Sequence, residues 1–195
     1  MIAGILLAAG AGRRFGSDKL LHDLQGKPLV YRSLEPALDS QLPRVYVVHD
    51  PRSAALKAAI HRFLPDDKNI TFVPNERPDR GMMSSLKCGL EALEESCDGA
   101  MVLLADMPGV TPELINTLLR RFEEENTVII PECGGEWHHP RIIPARLFPE
   151  FLTLKDNESG MTVVERHRAE VLTVHIGEKM TFRDIDKPSD LDPPV

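Results

Sequence analysis

The chain opens on an unbroken apolar run from Ile2 to Ala8, the pattern of a strand covered on both faces. Further short apolar runs occur at Arg44 to His49, Ile70 to Val73, Ala100 to Ala105, Thr127 to Pro131 and Val171 to His175. Between them the apolar residues move to helical spacing. Leu29 to Leu38 predicts a helix opened by Pro28, with Pro36 expected to end or kink it. Asp50-Pro51 is expected to cap a helix running to about Phe63, and Thr111 to cap an amphipathic helix over 112–125. A helix from Gly81-Met82 to about Leu93 lies between the third and fourth strands. Gly134-Gly135 opens a long connection, followed by helical stretches near 145–154 and 160–167. Strands alternating with helices predict a mostly parallel sheet with helices on both faces, a three-layer α/β/α sandwich.

Composition narrows the picture modestly. With 195 residues, 42% hydrophobic and 27% charged, and no repeat or linker, one domain over 1–195 is expected. The formal charge of -7 argues against a nucleic-acid polymer as partner. A polyphosphate ligand would then need cations gathered locally. Cys88, Cys97 and Cys133 lack CxxC spacing and read as free thiols in a reducing cytoplasm, with no structural zinc. No apolar stretch is long enough to span a membrane, and no basic segment precedes the first run.

The chemistry gathers after the first strand. Gly10, Gly12 and Gly16 alternate with Arg13, Arg14 and, three residues further on, Lys19. Glycines let consecutive N–H groups turn into one concavity and hold phosphate oxygens, while the cations add charge. The spacing fits neither G-x-G-x-x-G nor G-x-x-x-x-G-K-[ST], and a tight connection without ligand is the alternative. Asp106 ends the run Met101 to Ala105, placing a carboxylate at the carboxyl edge of the sheet. There it can either hold Mg²⁺ or cap the turn into Pro108. Ser84 and Ser85 suit a helix start, Met82 and Met83 read as packing, and adjacent His138 and His139 read as surface loop residues.

The strings Leu7-Ala8-Ala9-Gly10-x-Gly12-x-Arg14-x-Gly16-x-x-Lys19 and Leu104-Ala105-Asp106-Met107-Pro108 resemble the MobA-like nucleotidyltransferase family. So do Gly81-Met82-x-x-Ser85-Leu86 and Asp184-Ile185-Asp186. The resemblance is closest to the molybdenum cofactor cytidylyltransferases. It implies a Rossmann-like sheet of the nucleotide-diphospho-sugar transferase type, with a nucleotide-binding half over about 1–110 and an acceptor half over about 111–195. It implies nucleotide binding by Leu7, Ala8, Ala9, Gly10, Gly12, Arg14, Lys19, Gly81 and Ser85. Arg14 and Lys19 are the implied catalytic cations, Asp106 and Asp186 the Mg²⁺ ligands, and His139 an acceptor-binding residue. Capping of a terminal turn is the other reading of Asp186. The implied reaction is CMP transfer from CTP to a phosphate acceptor, molybdopterin foremost, with release of pyrophosphate and a molybdoenzyme as downstream partner. Ala9, where guanylyl-transferring members carry glycine, points to CTP. Guanylyl transfer, sugar- or alcohol-phosphate cytidylyl transfer, a non-catalytic accessory role and, lowest, a nicotinamide-dependent oxidoreductase stand as alternatives. Two departures fall in the acceptor half: His138 replaces a glycine, and Asn157 to Thr162 replaces a Gly-Asp-x-Gly-Ala-Arg block.

Overall fold

The computed structural model describes residues 1–10, 18–64, 69–177, 182–185 and 190. The first elements are β1 (Ile2–Ala8), β2 (Asp23–Leu24), β3 (Lys27–Pro28) and α1 (Leu29–Leu38). Next come β4 (Val45–His49), α2 (Ala54–His61), β5 (Ile70–Pro74) and α3 (Met82–Glu91). The second half holds β6 (Gly99–Leu104), α4 (Pro112–Glu125), β7 (Val128–Cys133), β8 (Glu136–Trp137) and β9 (Arg141–Pro144). It closes with α5 (Phe148–Thr153), α6 (Met161–Arg166) and β10 (Val171–His175).

The main sheet runs β10-β7-β9-β6-β1-β4-β5, with β8 joined to β7 beside that path. Every strand on the path is parallel to β1 except β9, which is antiparallel to both β6 and β7. The apolar runs alternate their side chains between two layers. Leu6, Val47, Met101 and Leu103 meet α1, α2 and α4 on one face. Ile5, Val48, Val102 and Ile143 meet α3, α5 and α6 on the other. A continuous apolar run was therefore the right signal for strands buried on both sides.

Chain order fixes where polar chemistry can collect. From β1 the chain moves outward through β4 and β5, then crosses back through α3 to β6 on the other side of β1. Such a reversal leaves a crevice at the carboxyl ends of the central strands. Helix α3 packs unusually close to that centre. A Cβ on Gly89 would lie 2.5 Å from Ile5 Cγ2 and 3.2 Å from Val48 Cγ2. The helix thus rests directly on β1 and β4.

Several expected boundaries move. The helix expected from Asp50 begins at Ala54, because Asp50 instead accepts from Arg52, with Nη2 2.7 Å from Oδ2, and closes a turn. Pro36 lies within α1, which runs on to Leu38; so near the end of the helix it forfeits only one backbone bond. The long connection after Gly134-Gly135 is a β7–β8 hairpin followed by β9, which inserts into the sheet. Those glycines have φ of 61° and 83°, the left-handed conformation that tight hairpin turns require. Strand β9 carries no strand signal in the sequence because its four residues follow Pro140 and end in Pro144. Among the described residues no helix is long and apolar enough to cross a membrane.

Gly89→Ala tests the α3 contact. The added methyl should destabilise the fold by about 1–3 kcal/mol, as overpacked cores do, seen as a lower urea midpoint at unchanged slope. An unchanged midpoint would mean that α3 is free to lift from β1.

Candidate active site

At the carboxyl edge, β1 ends in Ala8-Ala9-Gly10 and β6 ends two residues before Asp106. The two ends are joined by Ala105 N–H, which donates to the Leu7 carbonyl at 3.2 Å. The chain re-enters at Lys19, and its Nζ lies 2.8 Å from Asp106 Oδ2. The side chains are 11% and 28% exposed, so this ion pair is largely shielded from solvent. Sequence reading had placed Lys19 and Asp106 on one edge; the fold puts them in contact. Gly12 and Arg14 lie outside the described residues, as does Asp186. Ile185 does not, and its N–H donates to the Asp106 carbonyl at 3.0 Å. The chain therefore reaches Asp106 one residue before Asp186, with Phe182 and Ile185 buried in the core as anchors.

The second component is the start of α3. Gly81 has φ of 102°, a conformation that favours glycine, and it delivers the chain from a turn into the helix. Ser84 and Ser85 are buried, and Asn75 Nδ2 donates to their hydroxyls at 2.9 and 3.0 Å. Asn75 Oδ1 accepts from Arg77 N–H at 2.9 Å, and Asn75 N–H donates to the His49 carbonyl at 2.8 Å. A fully engaged Asn at 2% exposure thus fixes the helix start to the end of β4. Ser85 reaches the expected helix turn, but its hydroxyl faces this network. Asn75 went unnoticed because a polar residue in a polar loop carries no pattern.

The third component lies beneath α3, on the same face of the sheet. Leu7, Val102, Ile143, Met83, Phe151 and Met161 are among the residues around a cavity of about 190 Å³, which His139 and Arg141 also line. Met82, expected to pack, is 59% exposed and borders this cavity. His139, expected at the surface, is partly buried. Its Nδ1 lies 3.2 Å from the Val102 carbonyl. A carbonyl only accepts, so Nδ1 carries the proton and Nε2 is left as an acceptor. Burial, helped by the Arg141 cation, pushes His139 down to about 3. His139 thus belongs to the cavity and not to the Lys19–Asp106 contact. His138 stacks on Phe182, with ring centroids 4.4 Å apart. Asp156 accepts from Lys87 of α3 at 3.2 Å and from Arg80 at 3.1 Å, which hold its carboxyl below the usual range.

The donor set at the edge suits a hard divalent cation. Asp106 supplies one carboxylate, and among the described residues no three His, Cys, Asp or Glu side chains converge. A cation such as Mg²⁺ keeps several waters and takes its remaining ligands from phosphates, so one or two carboxylates suffice.

The model of the MobA-like NTP transferase domain matches residues 4–171. The purine catabolism protein PucB of Bacillus subtilis is 27% identical over 195 residues, covering 98% of this chain and 94% of that protein. A probable molybdenum cofactor guanylyltransferase of Natronomonas pharaonis is 29% identical over 206 residues, covering 97% and 94%. The crystal structure of Rv0371c from Mycobacterium tuberculosis H37Rv superposes with a TM-score of 0.83 at 20% identity, covering 97% and 94%. The manganese complex of that protein gives 0.74 at 19%, covering 91% and 89%. At such identity the structures establish the fold.

The neutral His139 predicts an acid-sensitive fold. Its native pKa lies below the unfolded value, so stability is intact above about pH 6.5 and falls as pH drops toward 3. Asp50, Glu132 and Asp156, whose values are also lowered, lose their contributions only in the carboxylate range. His167 is raised by Glu150 and then Glu170, so its contribution is lost on the alkaline side instead. His139→Asn should therefore flatten the fall in the urea midpoint between about pH 6 and 4.5. Parallel profiles for the two proteins would refute a buried neutral imidazole.

Proposed function

The chain belongs to the MobA-like NTP transferase family, and on that premise we propose that it transfers CMP from CTP to a phosphate acceptor, molybdopterin foremost, releasing pyrophosphate. The observation that carries the reading is the Lys19–Asp106 contact at the crevice between β1 and β6. It brings a cation for phosphate and a carboxylate for metal to the place where this topology binds ligands.

In this reading Gly10 and Gly12 turn their N–H groups toward the β and γ phosphates, which Arg14 grips as a fork. Leu7, Ala8, Ala9, Gly81 and Ser85 form the wall for base and ribose, Ser85 through the helix turn that Asn75 holds. Lys19 stands at the α-phosphate and offsets charge as it develops. Asp106, with Asp186, would hold the divalent cation, Mg²⁺ in our reading, which when bound would supply charge to offset the phosphates. The acceptor phosphate attacks the α-phosphorus as the bond to the bridging oxygen of pyrophosphate breaks. That nucleophile is already ionised, so no general base is needed, and positioning and electrostatics do most of the work. The acceptor half begins near 111 and contributes His139, Phe151 and Met161 to the cavity, whose wall Leu7, Met83 and Val102 complete from the other half. A cytoplasmic location and delivery of product to a molybdoenzyme complete the proposal.

Ala9 favours CTP, whereas the Natronomonas relative, named as a guanylyltransferase, favours GTP. Calorimetric titration with CTP, GTP and ATP, with and without Mg²⁺, separates them. We expect CTP to bind only with Mg²⁺, and binding to vanish in Asp106→Ala. GTP preference would keep the chemistry and change the product to the guanine dinucleotide. Failure of all three triphosphates to bind would sink the transferase mechanism as written.

Lys19→Met should lower pyrophosphate release with molybdopterin by roughly 10²–10³-fold, as loss of a transition-state donor does, with a smaller effect on KM. A change confined to KM would reassign Lys19 to ground-state binding.

A further inference from the structure

Arg141 opens β9 opposite Val102 and lines the cavity beneath α3 and α6. Around it are Met82, Met83, Met161 and Phe151, a wall of thioethers and one phenyl ring. Among the described residues no carboxylate forms an ion pair with its guanidinium. Glu158, which also lines the cavity, accepts from the Lys155 N–H instead. The guanidinium has five N–H donors. Nε donates to the His138 carbonyl at 2.9 Å, Nη2 to the Trp137 carbonyl at 3.2 Å, and Nη1 to the Met161 sulfur. One N–H remains on each terminal nitrogen. Such a pair forks around a phosphate, carboxylate or sulfonate.

A cation held among apolar groups without a counter-ion is costly to the fold, because desolvation is not offset by pairing. Burial alone lowers the Arg141 pKa, with no acidic neighbour to counter it. Carbonyls and a thioether orient the group without neutralising it. Methionine sulfur packs well against aromatic edges and adapts to flat rings, and the neutral His139 adds an acceptor at the same wall. Neither Lys19 nor Asp106 lines the cavity.

We infer that Arg141 is an anion subsite, and that the cavity takes a flat ring system carrying an anionic group. That the ligand is the acceptor of nucleotidyl transfer rests on the proposed function; the subsite itself does not. If it is the acceptor, that molecule is two-ended: its anion docks on Arg141 while a separate phosphate reacts at Asp106.

The test uses the full chain and three probes: 1-naphthyl phosphate, 1-naphthol and inorganic phosphate. Binding is measured by calorimetry and by fluorescence of Trp137, the single tryptophan, whose carbonyl Arg141 grips. 1-Naphthyl phosphate should bind about ten-fold or more tighter than either fragment, the scale of one charge-assisted bidentate contact. Arg141→Met should bring it down to the level of 1-naphthol, and Arg141→Lys should keep part of the preference. Equal binding of 1-naphthol and 1-naphthyl phosphate by the wild type, or an undiminished preference in Arg141→Met, overturns the subsite. Should Arg141→Met fail to fold by circular dichroism, Met82→Asp carries the test from an exposed rim position. Its added carboxylate should weaken 1-naphthyl phosphate several-fold at low salt and spare 1-naphthol; no change, or equal weakening of both, overturns the assignment. Lost CTP binding with the naphthyl preference intact would refute the transferase mechanism alone and support the subsite.

Discussion

Strand β1 is enclosed by β4 and β6 at its edges and by helices on both faces, so it can carry no polar side chain along its length. That constraint governs the rest. Everything chemical that β1 contributes must emerge at its carboxyl end, where Gly10 begins the glycine loop. The same holds for β6, whose polar content starts at Asp106. The Leu7–Ala105 backbone bond ties these exits together, and Lys19 then closes on Asp106. In a chain of formal charge -7, a lone carboxylate at that edge would repel a polyphosphate. Pairing it with Lys19 offsets that carboxylate's charge and places an ammonium beside the metal-binding candidate.

The edge chemistry was legible in the sequence because strands buried on both faces announce themselves as apolar runs. Residues just past such runs fall at one edge in a parallel sheet, so Lys19 and Asp106 could be assigned to one site without coordinates. Their direct contact was not readable, since 86 intervening residues separate them and only the crossover through α3 brings the exits together. The cavity side was less legible for a physical reason. Strand β9 is short, antiparallel and bounded by prolines, so it lacks the run that marked the parallel strands. With β9 unrecognised, His139 read as a loop residue, Arg141 carried no assignment, and the cavity between β9 and α6 had no wall. Asn75 escaped for a related reason: its role depends on Ser84 and Ser85 one turn into a helix, which no local periodicity encodes.

The edge and the cavity are built from different electrostatics. At the edge, opposite charges are paired and partly exposed, so each can exchange its partner for a ligand at modest cost. In the cavity His139 and Arg141 are each kept in one state. His139 is held neutral by burial, and Arg141 is held charged while its neighbours supply only dipoles and sulfur. The first arrangement suits a ligand whose charge changes during reaction. The second suits recognition, because a fixed cation in apolar surroundings discriminates sharply between a ligand that brings an anion and one that does not.

Helix α3 makes these two regions mechanically dependent. Its first turn, entered through Gly81, sets Ser85 against Asn75, while Met83 and Leu86 form part of the cavity wall. Asn75 pins that turn to β4 from one direction, and Asp156 holds Lys87 and Arg80 from the other. The Asp156 contacts are too exposed to contribute much stability. Their effect is geometric: they link α3 to the segment that leads into Glu158 and Met161 on the cavity wall. Gly89 sets the third restraint, because its missing side chain lets α3 lie flat on β1. With the helix fixed at three points, the Asn75–Ser85 contact and the cavity wall belong to one rigid element. A displacement of the helix start must then be shared by the cavity wall, so the edge and the cavity are positioned together.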